Sequence, residues 1–172
     1  MQQENLVYTP TKQDCMALAE WSVKHIDLCR KASWSVFTNN QVAYFLASAL
    51  LWFLTDFPTA AIAFVIMELA IIIPSRGEPR KHCYLRTIGK ALENRNRKEN
   101  SYGPRIEMTP NSIEIFETDR TITLEMSEIF GVITAPNHLF IRINEKESFP
   151  LPIELLKNHS NPLIYKSLTK IA

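Results

Sequence analysis

The sequence has very little of what catalytic, nucleotide-binding and metal-binding sites are usually built from. Its 172 residues include only four glycines, which lie too far apart for a phosphate loop or a dinucleotide fingerprint. The three cysteines contain no C-x-x-C pair, and the four histidines have no metal-ligand spacing with one another or with the cysteines. We therefore expect reduced structural thiols, no cofactor, no metal and no catalytic residues, so that the protein is not an enzyme.

Charge is also missing from two long stretches of the chain. Residues 32–55 carry no formal charge, and residues 57–75 carry only Glu68. Between them lie Asp56 and Pro58, and a proline disfavours helix at the residue before it. This pattern predicts two helices that fold back on each other as a hairpin over residues 32–75.

The lengths of these stretches favour a transmembrane hairpin. About 20 helical residues cover the ~30 Å hydrocarbon core of a bilayer. Aromatic residues lie at both ends of the first stretch, with Trp34 near its start and Trp52 near its end, as at the two interfaces of a membrane. The alternative is a buried hairpin in a soluble all-helical domain, because the strictly apolar part of the first stretch covers only residues 42–54.

Basic residues follow the hairpin. Residues 76–98 contain eight Lys or Arg and two Glu, and the turn at Asp56 offers no cation. The positive-inside rule then predicts a multi-pass protein of the inner (cytoplasmic) membrane with both termini in the cytoplasm. We expect the basic segment, residues 76–101, to meet the anionic headgroups of the lipid bilayer through Arg76, Arg80, Lys81, Arg86 and Lys90. Without interleaved aromatic residues, it does not indicate nucleic-acid binding.

Glu68 is the residue whose predicted position is most costly. A carboxylate at the centre of a membrane helix costs at least ~2.5 kcal/mol, so such residues usually face a polar partner. One reading is a polar contact with another chain, a proton-linked site or an ion path. The other is that Glu68 is protonated or hydrogen-bonded within its own hairpin to Ser48, Tyr44 or Asn40.

The N-terminal segment, residues 1–31, predicts a short strand followed by an amphipathic helix. Strand-forming residues precede Pro10, and Thr11 is followed by Asp14 at the spacing of an N-cap and an acidic first turn. Apolar residues then recur at spacings of three and four. We expect this helix to begin near Lys12 and to end near Arg30.

From Arg105 onward the apolar residues alternate with polar ones. This period predicts half-buried antiparallel strands, with turns at residues 109–112, 117–120 and 135–138. Pro162 can open a last helix, because Ile164, Leu168 and Ile171 share one face. The fold class that follows is an α+β membrane protein: an N-terminal amphipathic helix, a two-helix transmembrane hairpin, and a small antiparallel β domain over residues 102–172 with a terminal helix.

Several short motifs resemble one known family. The chain opens with Leu-Val-Tyr-Thr-Pro-Thr-Lys-Gln-Asp, and after the hairpin and the basic segment it reads Thr-Leu-Glu-Met-Ser-Glu-Ile, Asn-His-Leu-Phe-Ile and Phe-Pro-Leu-Pro. In this order the motifs resemble the YcxB-like family of bacterial membrane proteins, over nearly the whole chain. The resemblance implies a cytosolic C-terminal domain similar to a pleckstrin-homology or GRAM-like half-barrel, and it implies little about activity.

Two functions are consistent with these observations. The first is a membrane-anchored, non-catalytic binding or scaffold protein that presents its β domain at the inner membrane surface. The second is an accessory subunit of a transporter or membrane enzyme that uses Glu68 at a helix interface. The expected partners are therefore the lipid bilayer with its anionic headgroups, and a membrane protein or a second copy of this chain.

Overall fold

The computed structural model describes residues 5–75, 77–145, 147–158 and 162–171. Over these residues the protein is an α+β structure with six α-helices and two antiparallel sheets. The helices are α1 (Lys12–His25), α2 (Asp27–Leu54), α3 (Phe57–Ser75), α4 (Pro79–Glu99), α5 (Ile153–Asn158) and α6 (Pro162–Ile171). The strands are β1 (Leu6–Tyr8), β2 (Arg105–Met108), β3 (Ser112–Phe116), β4 (Thr121–Glu125), β5 (Gly131–Thr134), β6 (His138–Arg142) and β7 (Ser148–Pro152).

The chain forms two compact units. We call them the sheet unit, which comprises Met1–Leu18 and Lys90–Ala172, and the hairpin unit, which is Ala19–Gly89. These units do not follow the segments expected from the sequence, which were residues 1–31, 32–75, 76–101 and 102–172. The N-terminal strand belongs with the C-terminal strands, because it pairs with one of them.

The sheet unit contains a four-stranded sheet in the order β1-β2-β3-β4 and a three-stranded sheet in the order β5-β6-β7. Apolar residues face each other across neighbouring strands, as in the pairs Ile106 with Ile115 and Leu139 with Leu151. The three turns predicted at residues 109–112, 117–120 and 135–138 are each closed by a backbone hydrogen bond of 2.8–2.9 Å. The turn residues therefore located three hairpins, whereas the turn between β6 and β7, closed by the Ile143 amide bonding the Glu147 carbonyl at 3.2 Å, was not predicted.

One hydrophobic core joins the two sheets to the C-terminal helices. Met108 and Leu151 are fully buried, one in each sheet, and Leu156 of α5 is buried with them. Helix α6 contributes Ile164 and Leu168, which lie four residues apart on one face and are also fully buried. The sheet unit is thus a packed body in which α6 covers the core with the face predicted from the sequence.

Helix α1 begins where the sequence predicts and ends earlier. The Asp14 amide donates to the Thr11 hydroxyl at 3.3 Å, and the Thr11 amide donates to the Asp14 carboxylate at 2.8 Å, which satisfies two N-terminal amide groups. The helix ends at His25 rather than at Arg30, because Ile26 takes an extended conformation with φ −110° and ψ 118°. Asp27 then lies in the first turn of a new helix, where its charge suits the helix dipole.

The predicted hairpin exists as the pair α2 and α3, with its turn at Thr55 and Asp56. The Asp56 carboxylate accepts from the Thr59 amide at 2.8 Å and so caps α3. Helix α2 is longer than the predicted first run, since it begins at Asp27 and has 28 residues. All of its charged residues therefore lie in its first half, and its mainly apolar run begins at Val42.

The interpretation of this hairpin as transmembrane needs a correction. Within the part of the chain that the structure describes, no helix is both long enough and apolar enough to cross a membrane. The strictly apolar part of α2 begins at Val42 and extends about 20 Å at ~1.5 Å per residue, against a hydrocarbon core of ~30 Å. Helix α3 has 19 residues, and it contains the carboxylate of Glu68.

Several predictions depended on that interpretation. We expected a transmembrane hairpin, a membrane-protein fold class, and a multi-pass inner-membrane location with both termini in the cytoplasm. The absence of a membrane-spanning helix among the described residues contradicts all three expectations. The α+β composition with antiparallel sheets is what the structure shows.

Candidate anion-binding cleft

Three helices of the hairpin unit form a cleft that gathers basic side chains. The end of α1, the beginning of α2 and the beginning of α4 enclose a cavity of about 280 Å³. The residues that line it are Val23, Lys24, Arg30, Ser33, Gly77, Glu78, Pro79, Arg80 and Lys81. Four of these residues are cationic and one is anionic, and Glu20 and Asp27 beside them add two carboxylates, so the local net charge is +1 and favours an anion weakly.

The turn between α3 and α4 gives the cleft one of its walls. Gly77 has φ +85°, a left-handed conformation that a residue with a side chain rarely adopts. Pro79 occupies the first position of α4, where its missing amide hydrogen costs no helical hydrogen bond. The first turn of this 21-residue helix therefore reaches the cavity with its positive end.

Arg80 is held in place by an aromatic ring. Its guanidinium carbon lies 4.1 Å from the centroid of the Trp34 ring, which is the geometry of a cation–π contact. Trp34 is on α2 and is half exposed. The contact holds the guanidinium against the ring, and no described residue forms an ion pair with it.

Lys81 lies between two carboxylates. Its ammonium is 2.5 Å from Glu20 and 3.2 Å from Glu78. The hydrogen bond to Glu20 raises the pKa of the Lys81 ammonium above its ordinary value, although partial burial opposes this shift. The same bond lowers the pKa of Glu20. Both groups are therefore charged at neutral pH.

The two remaining cations have weaker or more exposed partners. Lys24 is 4.0 Å from Glu20, which already bonds Lys81, and Arg30 is 2.5 Å from Asp27. The side chains of Arg30 and Asp27 are 59% and 78% exposed, so water screens their attraction strongly. These cations are consequently able to exchange their carboxylate partner for a ligand at little cost.

The predicted headgroup contacts fall into three groups. Arg80 and Lys81 line the cleft, whereas Arg86 and Lys90 are exposed further along α4. Arg76 lies outside the described residues. The sequence did not single out Lys24 and Arg30 as ligand contacts, since both lie more than 40 residues before α4 and only the tertiary fold brings them beside it.

Glu68 bonds within its own hairpin, but not to the partners expected. Gln41 of α2 donates to its Oε2 atom at 3.2 Å. Its Oε1 atom is buried and has no hydrogen-bond partner among the described residues, and the same is true of the Ser48 hydroxyl. The seam between α2 and α3 therefore contains two polar groups that the hairpin itself does not satisfy.

The sheet unit has a second polar cluster, centred on Asp14. The buried Asp14 carboxylate accepts from the hydroxyl of Tyr8, from the hydroxyl and amide of Thr11, and from His138 at 2.9 Å. Burial raises the pKa of Asp14, but these hydrogen bonds outweigh it and hold the pKa below its ordinary value. Each oxygen is satisfied, which is typical of a network that fixes structure.

Chemical reactivity is not apparent around this cluster. Cys15 follows Asp14, and burial together with the nearby carboxylate raises the pKa of its thiol to about 11. A thiol with that pKa is almost entirely protonated at neutral pH and is a weak nucleophile. Over the ranges that the structure describes, no group of three or more His, Cys, Asp or Glu residues is placed to hold a metal ion.

Comparison with known proteins gives no relative for this chain: it matches no family model, no curated protein and no solved structure. The resemblance to the YcxB-like family, and with it the pleckstrin-homology-like character of the β domain, stays a prediction. The cleft is therefore interpreted from its own residues.

Proposed function

We propose that the protein is a non-catalytic binding protein that associates with an anionic lipid surface through its hairpin unit. One observation carries this proposal: exposed apolar side chains extend along the hairpin, and the basic cleft lies at the hairpin's open end. A lipid surface offers both matching chemistries, because its acyl chains are apolar and its headgroups are anionic.

The hairpin exposes many large apolar side chains to water on both of its helices. Phe53 is 84% exposed and Ile73 is 72% exposed, and many neighbours on both helices are more than half exposed, among them Phe45, Leu50, Phe57 and Ile66. Monomers rarely present an apolar patch above a few hundred Å², and larger ones mark interaction sites. The hairpin therefore has an apolar partner in its working state.

Charge favours a lipid surface as that partner. Arg80 and Lys81 at the cleft, and Arg86 beyond it, are supplied by the same helix that follows the apolar hairpin. Each Lys or Arg close to an anionic membrane surface contributes roughly 1 kcal/mol of attraction. The sheet unit is joined to the hairpin unit by the chain itself, so it is tethered wherever the hairpin binds.

Vesicle co-sedimentation of the full chain tests the proposal. We expect strong sedimentation with vesicles that contain phosphatidylglycerol, weaker sedimentation with pure phosphatidylcholine, and a loss of the difference at high salt. Phe53→Asp should reduce binding at least tenfold, because burial of an exposed Phe contributes about 1.5–3 kcal/mol. Phe130→Asp is the matched control, since Phe130 is exposed on the sheet unit.

Two results would refute this function. The first is equal sedimentation with anionic and zwitterionic vesicles together with no effect of Phe53→Asp. The second is a concentration-dependent oligomer that forms without vesicles and protects the hairpin from a water-borne label, because a second copy would then cover the apolar surface.

A second candidate function rests on Glu68. Its buried Oε1 atom lacks a partner among the described residues, and an unsatisfied buried acceptor costs about 1–3 kcal/mol. A polar group of another chain that inserts beside the hairpin would remove this cost. In this alternative the protein is an accessory subunit that uses Glu68 at a helix interface.

A further inference from the structure

The cleft brings cations together from three different helices. Lys24 belongs to α1, Arg30 to α2, and Arg80 and Lys81 to α4, while Glu78 is the one carboxylate among the residues that line it. Lys24, Arg30 and Lys81 already pair with carboxylates, and the side chains of Lys24 and Arg30 are more than half exposed, so an anion competes with those partners in water. The volume is at the small end of the range for ligand pockets, which favours a small anionic group.

Arg80 is the cation best prepared to bind such a group. Among the side chains that the structure describes, none forms an ion pair with Arg80, and its guanidinium carbon lies 4.1 Å from the centroid of the Trp34 ring, which restrains the side chain. A guanidinium can donate two parallel N–H bonds to two oxygens of one ligand. Within the described residues, the Arg80 donors therefore have no carboxylate partner.

The directions of the donors decide which anion fits. A planar carboxylate has two oxygens, which one guanidinium can satisfy alone. A tetrahedral phosphoryl group has further oxygens that point in other directions. In this cleft Lys24 and Arg30 are supplied by α1 and α2, whereas Arg80 is supplied by α4. The arrangement therefore matches a phosphoryl group better than a carboxylate.

We infer that the cleft binds one phosphoryl group, with Arg80 as its bidentate donor and Lys24 and Arg30 as further cationic contacts. The inference rests on the proposed function, because an anionic lipid surface presents phosphoryl groups, although free phosphate has the same chemistry. Asp27 pairs with Arg30 at 2.5 Å and so competes with the ligand. Removal of the Asp27 charge should accordingly strengthen binding.

Calorimetric titration of the full chain tests this inference with two probes. One is inorganic phosphate, and the other is a short-chain phosphatidic acid below its micelle concentration. We expect one saturable site, an affinity at least tenfold lower in Arg80→Gln, and a partial loss in Arg80→Lys, which keeps the charge but not the paired donors. Lys98→Gln is the control, because it removes one exposed cation of α4 outside the cleft.

A variant that binds phosphate more tightly distinguishes a lost contact from a misfolded protein. Asp27→Asn should bind the probe several-fold more tightly, a result that an unfolded cleft cannot give. If only the phosphatidic acid binds, the site is selective for a lipid headgroup, and if both bind equally, the phosphoryl group alone is recognised.

Different results would overturn the phosphoryl site and the association with lipid surfaces. Vesicle association without a saturable site, or equal losses in Arg80→Gln and Lys98→Gln, would overturn the phosphoryl site and leave the function standing. A saturable site that depends on Arg80, in a protein that does not sediment with anionic vesicles, would overturn the function and keep the site.

Discussion

The buried Asp14 carboxylate offers the sharpest test of what stabilises the sheet unit. Replacement by alanine removes the acceptor of Tyr8, Thr11 and His138 at once, and the side chains of Asp14 and His138 are only 9% and 14% exposed. Two buried donors, the Tyr8 hydroxyl and the His138 N–H, would then lack a partner. The helix α1 would also lose part of its N-terminal cap.

These losses have known sizes. A buried donor without a partner costs about 1–3 kcal/mol, and a lost cap costs about 0.5–2 kcal/mol. Because coupled contacts are not additive, we expect Asp14→Ala to lower the free energy of unfolding by about 3–5 kcal/mol. With a denaturant slope of about 2 kcal/mol per molar, the urea midpoint falls by about 2 M.

Urea denaturation followed by circular dichroism measures this change, and hydrogen exchange of β1, β2 and β6 locates it. Asp27→Ala is the control, because its exposed ion pair should contribute under ~1 kcal/mol. Tyr8→Phe, which removes one donor and keeps the ring, should cost about 1 kcal/mol and gives a graded result if the alanine variant does not fold. A loss below 1 kcal/mol in Asp14→Ala would refute the assigned role.

The pH dependence has a definite sign. The pKa of Asp14 is lower in the folded state than its ordinary value, so its charge contributes stability above the pKa of the unfolded chain, about 3.9. That contribution is lost as the pH falls through the folded-state pKa. The difference between wild type and Asp14→Ala should therefore be largest near neutral pH and shrink below about pH 4, and a difference that is constant to pH 2 would contradict the network.

Two further predictions follow from close contacts in each unit. Gly103→Ala should lower the free energy of unfolding by about 1 kcal/mol, because the added methyl carbon would lie 3.1 Å from the rigid ring of Pro10. Gly131→Ala is the control in the same urea titration and should leave the free energy of unfolding unchanged, because its methyl carbon would meet nothing within 4 Å. In the hairpin unit, Glu68→Gln should leave the molar mass in light scattering unchanged, and a smaller assembly in Glu68→Leu alone would support the second candidate function.

The sequence predicted the strands well, because buried and exposed residues alternate along them with a period of two. Ile106, Met108, Ile113 and Ile115 alternate because every second side chain of a strand points to the core, and all four are buried. The break at Ile26 was missed, since neither glycine nor proline marks it. Helix α5 was also missed, because it follows directly on Pro152 of β7 with no separate signal.

The cleft could be predicted only in part, for a physical reason. A basic run after an apolar stretch is visible in the sequence and included Arg80 and Lys81. Lys24, Arg30 and Trp34 join them through the packing of three helices, and no local pattern encodes that arrangement. The membrane interpretation failed at another point, because it took one charge-free stretch and one that carries only Glu68 as spans. No helix in the described part of the chain is long and apolar enough to cross a membrane.

The pairing of β1 with β2 has a consequence for how the protein is made. Tyr8 pairs with Ile106, so the first strand leaves the ribosome roughly a hundred residues before its partner. At about 5–20 residues per second, β1 waits on the order of 5–20 s, during which the whole hairpin unit is synthesised. The four-stranded sheet therefore cannot close until most of the chain exists, and a fragment that starts after the hairpin would expose the edge of β2 to pairing with other chains.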